Sequence, residues 1–218
     1  MAQLFPRSFN PLSRFTIYGG AAFAGFAILI AVWIYDSDYV TGIRVVRSQP
    51  VPFSHKHHVS DDGIDCRYCH TMVEISNTAG MPSTDTCMTC HSEIWKSSPM
   101  LEPVRASYQT DRSIQWQRVS LLPDYEYFNH SIHINKGIGC STCHGRVDEM
   151  PLTWRAESFR MDWCLNCHRA PQQYIRPRDQ VFNMEWEPPP DQLGRGAELV
   201  KKYNVATWRL TDCYTCHR

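Results

Sequence analysis

The chain has 218 residues, and its 22 basic and 22 acidic side chains give a formal net charge of zero. A balanced charge gives no support for nucleic-acid binding or for a large electrostatic steering field. Leu, Ile, Val and Phe are sparse outside the first 35 residues, whereas Pro (14), Tyr (10) and Trp (7) are plentiful. This composition argues against a conventional aliphatic core and predicts a loop-rich fold.

A charge-free stretch runs from Phe15 to Tyr35. As a helix, these residues would reach about 32 Å, which is enough to cross a bilayer. A cleavable signal peptide is the alternative, but its apolar region is usually about 7 to 15 residues long. No small-x-small cleavage site precedes Asp36 and Asp38. Residues 15–35 are therefore predicted to form an uncleaved transmembrane helix.

The charges on either side of this helix predict its orientation. Two arginines, at positions 7 and 14, precede the helix, and two aspartates follow it. Under the positive-inside rule, residues 1–14 form a cytoplasmic N-terminus, and the chain from the linker at 36–52 onward lies on the outer face of the membrane. One face of the helix carries small residues, which favour close contact with a partner helix in lipid. These residues are Gly19, Gly20, Ala21, Ala22, Ala24 and Gly25.

The sequence Cys-x-x-Cys-His occurs five times and uses all ten cysteines. Two thiols three positions apart can each form a thioether to a haem vinyl group, and the following histidine then binds the iron as its proximal ligand. Zinc knuckles and disulfide frameworks also use paired cysteines, but neither requires the histidine. A thioredoxin-like site needs a βαβ pattern around its motif, and no motif here has one. We therefore predict five covalently bound c-type haems.

The predicted haem ligands follow directly from these motifs. The attachment residues are Cys66, Cys69, Cys87, Cys90, Cys140, Cys143, Cys164, Cys167, Cys213 and Cys216. The proximal iron ligands are His70, His91, His144, His168 and His217.

An internal duplication precedes the first four motifs. Phe53-Ser-His-Lys-His-His and Phe128-Asn-His-Ser-Ile-His each come before two Cys-x-x-Cys-His sites. The repeat defines a dihaem module over residues 53–91 and a second over 128–168, joined by a connecting segment over 92–127. Residues 169–218 form a C-terminal segment with the fifth haem. Within this segment, Leu193, Ala197 and Val200 predict a short amphipathic helix that ends near Asn204.

The repeated histidines are predicted to be distal iron ligands. A haem iron with one proximal imidazole has a sixth position that a remote side chain can fill. Positions i and i+3 of a helical turn face the same way, so each pair can reach two neighbouring haems. The four predicted distal histidines are His55, His58, His130 and His133. The fifth distal ligand stays open between His57 and a methionine, of which Met161 ranks first, Met150 second and Met81 third.

The order of these elements resembles that of the pentahaem cytochrome c subunit, the A subunit, of bacterial alternative complex III. The stretches FSHKHH at 53–58 and MDWCLNCHR at 161–169 carry the resemblance together with the motif order. It implies one transmembrane helix followed by a loop-rich, mainly short-helix domain with duplicated haem modules like those of cytochromes c7 and c3. By the same resemblance, His55 and His130 would ligate the haem attached just after them, and His58 and His133 would reach other haems.

The resemblance also implies a function and partners. Members of that family oxidise quinol in the bacterial inner membrane through an integral membrane quinol-binding subunit and an iron–sulfur subunit. The chain would pass electrons to a mono-haem cytochrome, a copper protein or an oxygen reductase on the periplasmic side. It would itself catalyse no bond chemistry, because every iron has two protein ligands. The alternative is a free-standing, membrane-anchored multihaem quinol dehydrogenase that feeds a periplasmic reductase.

Overall fold

The structure is a computed structural model that describes residues 5–217. The first four residues of the predicted cytoplasmic segment, and the last residue of the C-terminal segment, lie outside the described residues. The chain divides into two compact units, with the boundary between Ile43 and Arg44.

The first unit is dominated by one long helix, α1 (Phe9–Asp36), followed by the short α2 (Asp38–Thr41). Helix α1 begins six residues before the charge-free stretch, because helical geometry continues through Arg14. At 28 residues, it is long and apolar enough to cross a membrane, and within residues 5–217 it is the one helix that meets both conditions. Ser37 in extended conformation ends α1, and Gly42, with φ 69°, ends α2.

The second unit is built from short helices and connecting loops. It contains a π-helix at Lys56–Asp61, followed by α3 (Cys66–Cys69), α4 (Thr84–His91), α5 (Glu102–Thr110), α6 (His130–Asn135), α7 (Cys140–His144), α8 (Met161–Arg169), α9 (Gln192–Lys202) and α10 (Cys213–Cys216). Single 3₁₀ turns lie at Pro99–Leu101, Val147–Glu149, Pro171–Gln173, Arg178–Gln180 and Thr207–Arg209. No strand occurs in the described part of the chain, which has two isolated β-bridges. The predicted loop-rich, mainly short-helix fold with one N-terminal apolar helix is confirmed.

The apolar core of the second unit is divided into three small clusters. Their buried members are Val51, Leu101 and Val104; Val73, Ile134 and Val181; and Ile138, Ile175 and Tyr203. Each cluster packs against at least one motif cysteine: Cys87 in the first, Cys140 in the second, and Cys143 and Cys167 in the third. The little apolar core that this chain has therefore lies beside the predicted haem attachments.

Helix α9 confirms the amphipathic helix predicted near the C-terminus. It packs against the turn Pro171–Gln173, where a Cβ at Gly196 would overlap the backbone of Gln172. Gly194, two residues earlier, faces open space. Lys201 and Lys202 lie in the last turn, where cations interact favourably with the helix dipole.

Candidate haem-attachment sites

Each Cys-x-x-Cys-His motif folds as a helical turn. The five motifs form α3, the end of α4, α7, the second half of α8 and α10. In the first motif, for example, the backbone N–H of His70 donates to the carbonyl of Cys66 at 2.9 Å, and in the last, His217 donates to Cys213 at 2.8 Å. A helical turn brings the two thiols to one side with the histidine next to them. This is the local geometry that double attachment to one porphyrin edge needs.

The thiols of the third and fourth motifs lie in surroundings that favour their neutral form. Burial raises the pKa of Cys140 and Cys143 to about 12, and that of Cys164 and Cys167 to about 11. A thioether carries no charge and fits the same environment. None of the ten cysteines, all of which lie in the described range, forms a disulfide.

Four of the five motif histidines are oriented through the same ring nitrogen. Nδ1 contacts a backbone carbonyl oxygen: His70 to Gly80 at 2.8 Å, His91 to Ile94 at 3.1 Å, His168 to Leu210 at 2.8 Å and His217 to Tyr125 at 3.1 Å. A carbonyl only accepts hydrogen bonds, so Nδ1 must carry the proton. The unprotonated Nε2 is then free to bind a metal, as is usual for a ligating histidine with such a second contact.

The repeated histidines use Nδ1 in the same way. His58 donates to the carbonyl of Ser54 at 2.8 Å, and His133 donates to the carbonyl of Asn129 at 2.7 Å. His130 donates to the carbonyl of Asn77 at 3.0 Å. The Nδ1 atom of His55 lies 2.9 Å from the hydroxyl of Thr153. All four imidazoles can therefore present Nε2 for ligation.

The duplication seen in the sequence is also a duplication of contacts. Phe53 stacks on His58 with centroids 4.5 Å apart, and Phe128 stacks on His133 at the same distance. Each phenylalanine also meets the first histidine of its pair edge-on, at 5.0 and 4.7 Å. In both copies of the repeat, the spacing of Phe and the two histidines thus allows one phenylalanine ring to contact both imidazoles. The supporting helix differs: His58 lies in the π-helix, and His133 in α6.

Three pairs of imidazole rings lie at the centroid separation that two ligands on opposite sides of one iron would have. Two metal–nitrogen bonds of about 2.0 Å, with about 1.1 Å from each nitrogen to its ring centre, place two ligand centroids roughly 6.2 Å apart. The observed centroid distances are 6.4 Å for His130 and His144, 6.2 Å for His133 and His168, and 6.2 Å for His58 and His91. The chain therefore fits bis-histidine haem at these positions.

The first motif follows the same scheme by its equivalence in the repeat. His55 and His70 correspond to His130 and His144. Burial lowers the pKa of His55 to about 4, and the charge of His70 is the next cause of this lowering. The two imidazoles thus lie within electrostatic reach of one another. Burial likewise lowers the pKa of His144 to about 4. Neutral imidazoles are the form that binds iron.

The candidates for the fifth distal ligand differ in their surroundings. The Nε2 atom of His57 lies 3.5 Å from the carboxylate of Asp62, and its ring stacks on Trp95 with centroids 5.5 Å apart. The Nε2 atom of His57 thus points to a carboxylate in this structure. Met161, at the start of α8, is 59% exposed, Met81 is 62% exposed and Met150 is 2% exposed.

Contacts between the motifs indicate which of them are neighbours. Tyr68 of the first motif lies 2.8 Å from Thr89 of the second, hydroxyl to hydroxyl. Cys143 of the third and Cys167 of the fourth pack against the same apolar cluster, and Nδ1 of His168 in the fourth contacts the carbonyl of Leu210, three residues before the fifth, at 2.8 Å. The thiol of Cys66 in the first motif contributes to the raised pKa of Cys140 in the third. Numbered along the sequence, the neighbouring motifs are therefore 2 and 1, 1 and 3, 3 and 4, and 4 and 5, which corresponds to the order 2, 1, 3, 4, 5.

Some residues at these sites carry no signal in the sequence. Phe159 adopts φ 53°, a conformation that is rare for a bulky residue, and its ring lies 6.3 Å from that of His144. Trp95 has φ 54° and stacks on His57 beside the second motif. Backbone strain of this kind concentrates at functional sites. Only the folded chain shows which aromatic residues carry it.

Residues 51–106 and 126–218 match the family described as cytochrome c7 and related cytochrome c. The two matched ranges contain all five motifs and both histidine pairs. The multiheme cytochrome c subunit of menaquinone reductase from Nitratidesulfovibrio vulgaris is 34% identical to this chain over 140 residues. The similarity covers 62% of this chain and 64% of that protein, so the chain spans slightly under two thirds of the length of this relative.

Proposed function

The chain belongs to the family of cytochrome c7 and related cytochromes c, and we propose that it relays electrons between a membrane quinone pool and a redox partner on the outer face of the membrane. The observation that carries this proposal is the set of three imidazole pairs with ring centroids 6.2–6.4 Å apart. An iron held on both sides by protein ligands has no position for a substrate. Such a haem exchanges electrons and makes no bonds with other molecules.

We propose five covalent haems, one at each motif, with His55, His58, His130, His133 and Met161 as distal ligands. When bound, each haem supplies a one-electron centre whose potential depends on axial ligands, burial and nearby charge. The chain's own part is to hold the porphyrins at fixed positions and to exclude water from the ligand faces. The order 2, 1, 3, 4, 5 supports a linear relay, with the second and fifth motifs at its ends.

The haem count has a direct test. The intact mass of the purified protein should exceed the 25.3 kDa of the polypeptide by five haem masses, and the pyridine haemochrome assay should give five haems per chain. A mass equal to the bare polypeptide would refute the proposal. Carbon monoxide should leave the spectrum of the undamaged protein nearly unchanged. A shift of a large share of the haem would instead indicate an open iron and a catalytic function.

We place the relay within a complex like bacterial alternative complex III. Helix α1 anchors the chain in the bacterial inner membrane, with a cytoplasmic N-terminus and a periplasmic haem domain. An integral membrane subunit binds quinol, an iron–sulfur subunit joins the assembly, and a mono-haem cytochrome, a copper protein or an oxygen reductase accepts the electrons. The relative's membership of a menaquinone reductase supports a link with a quinone pool. Gentle purification from membranes should recover the two partner subunits with this chain.

The relative's name also supports a second candidate, in which electrons run toward menaquinone rather than away from it. Reduction of the isolated full chain by menaquinol distinguishes a relay from a free-standing, membrane-anchored quinol dehydrogenase. A relay subunit should be reduced slowly when it is separated from its partners. Rapid reduction of the isolated chain would mean that quinol binds here. In the intact complex, an assay with the purified redox partner gives the direction of electron flow. Quinol oxidation means that electrons leave the quinone pool, and quinone reduction means that they enter it.

A further inference from the structure

Arg176 is a buried cation in the second unit, directly after the fully buried Ile175. It is 3% exposed, and its Nε atom has no hydrogen-bond partner. Within residues 5–217, no carboxylate forms an ion pair with it. Buried charges in proteins are nearly always paired, because desolvation of an isolated ion is costly. An unpaired guanidinium in this position therefore requires an explanation.

The guanidinium lies against the loop of the third motif. One terminal nitrogen donates to the hydroxyls of Ser141 at 3.1 Å and Thr142 at 3.0 Å, which are the two residues between Cys140 and Cys143. The other terminal nitrogen donates to the carbonyl of Asn183 at 3.2 Å.

Two further features of the surroundings fit the guanidinium. The ring of Trp186 covers it at 4.2 Å. A Cβ at position 139 would overlap the guanidinium, so that glycine at this position leaves room for it. The chain thus encloses the cation from several sides without neutralising it.

The charge persists in this environment. Burial lowers the pKa of Arg176, but the ordinary value lies so far above neutrality that the group stays protonated. The two thiols that oppose this lowering, Cys140 and Cys143, lose the ability to carry negative charge once they become thioethers. In a medium of low dielectric constant, an uncompensated charge acts strongly over several ångströms. Ferric haem carries one more positive charge than ferrous haem, so a fixed cation beside it favours reduction.

We propose that Arg176 is a positioning residue that raises the reduction potential of the haem attached at Cys140 and Cys143. The inference rests on the proposed haem at this motif. In the order 2, 1, 3, 4, 5, the third motif is the central one, so the electron would reside preferentially in the middle of the relay. The hydroxyls of Ser141 and Thr142 hold the cation at the loop between the two attachment cysteines.

Potentiometric titration of the full haem-loaded chain, followed by optical and paramagnetic resonance spectra, tests the proposal. Arg176→Gln should lower one midpoint potential by at least about 59 mV. For a one-electron couple, this shift corresponds to a tenfold change in the equilibrium constant for reduction. Arg176→Lys keeps the charge and should move that midpoint by less than half as much. The matched control is Arg195→Gln, which removes an exposed arginine of α9 that is paired with Asp191. It should move no midpoint.

A second pair of variants keeps Arg176 in place. Thr142→Asp puts a carboxylate within reach of the guanidinium and should lower the same midpoint, whereas the neutral Thr142→Asn should not. This comparison decides the matter even if Arg176→Gln fails to retain the haem. Equal shifts in Arg176→Lys and Arg176→Gln, or equal midpoints in Thr142→Asp and Thr142→Asn, would overturn the proposal. If peptide mapping of the wild-type protein found no haem on the peptide that contains Cys140 and Cys143, the proposed function itself would be refuted.

Discussion

The imidazole rings of His130 and His144 lie with their centroids 6.4 Å apart and their planes only 3° apart. The rings of His58 and His91 lie at nearly the same distance, 6.2 Å, but their planes differ by 68°. Both distances suit the proposed ligation of one iron from two sides. Because the angles differ, two haems with the same proposed ligand types would differ electronically.

This difference predicts two kinds of paramagnetic resonance signal in the oxidised protein. Near-parallel imidazole planes separate the energies of two iron d orbitals, which gives a rhombic low-spin signal. Nearly perpendicular planes leave these orbitals close in energy, which gives a signal with one very large g value. Low-temperature spectra of the ferric protein should contain both. A spectrum with rhombic signals alone would contradict the geometry of His58 and His91.

The adjacent histidines His57 and His58 provide a matched pair of variants. His58→Ala should remove one proposed distal ligand, so that one of the five proposed haems becomes high-spin and binds carbon monoxide. His57→Ala should leave every haem low-spin, because the ring of His57 stacks on Trp95 and its Nε2 atom lies 3.5 Å from the carboxylate of Asp62. Optical spectra with and without carbon monoxide measure both results.

The opposite result has a clear meaning. If His57→Ala produced the high-spin haem and His58→Ala did not, the facing of His58 and His91 at 6.2 Å would not reflect ligation. The stack of Phe53 on His58 would then be a packing contact only. His133→Ala, at the equivalent position of the second module, should behave like His58→Ala, because the repeat preserves the same contacts.

Much of the candidate site could be predicted from the sequence because its signals are local. A Cys-x-x-Cys-His motif lies within one helical turn, and two histidines three positions apart share a helix face. The duplication of Phe53 and Phe128 is equally visible as a repeat. The apolar helix could be recognised from composition alone, although its first residue, Phe9, lies outside the charge-free stretch because charged residues are also compatible with a helix.

The remainder depends on contacts between distant parts of the chain. Arg176 meets Thr142 across 34 positions, and His55 meets Thr153 across 98. Whether Cys66 and Cys140 lie near each other depends on how the connecting segment folds. The spatial order of the motifs therefore cannot be read from any single stretch of the sequence. The strained backbone of Phe159 leaves no trace in the residue type, since a phenylalanine with positive φ is held there only by its surroundings.

Two glycines of α9 should respond to substitution in opposite directions. Gly196→Ala forces a Cβ against the backbone of Gln172, and overpacking of this kind costs about 1 to 3 kcal/mol. Gly194→Ala meets no neighbour and should stabilise the helix by about 0.5 to 1 kcal/mol, through its better helix propensity. Thermal unfolding of the haem-loaded protein measures both.

The expected shifts are large enough to resolve. For a unit of this size, each kcal/mol changes the melting temperature by roughly 2 to 4 °C. Gly196→Ala should therefore melt several degrees below the wild type, and Gly194→Ala slightly above it. Destabilisation of the same size in both variants would show that glycine is needed in α9 for its backbone conformation, and that the contact with Pro171–Gln173 is not the cause.

Met161 and Met81 are almost equally exposed, at 59% and 62%. Substituting each in turn therefore distinguishes an iron ligand from an ordinary surface methionine. Met161 begins α8 three residues before Cys164, a thiol within electrostatic reach of Cys216 in the fifth motif. If Met161 ligates the fifth haem, Met161→Ala should abolish the near-infrared magnetic circular dichroism band of histidine–methionine haem and lower one midpoint, because a thioether raises the potential relative to a second imidazole. Met81→Ala should change neither property. If the wild-type spectrum contained only bis-histidine bands, no methionine would be a ligand, and the fifth iron would need an imidazole from this chain or from a partner.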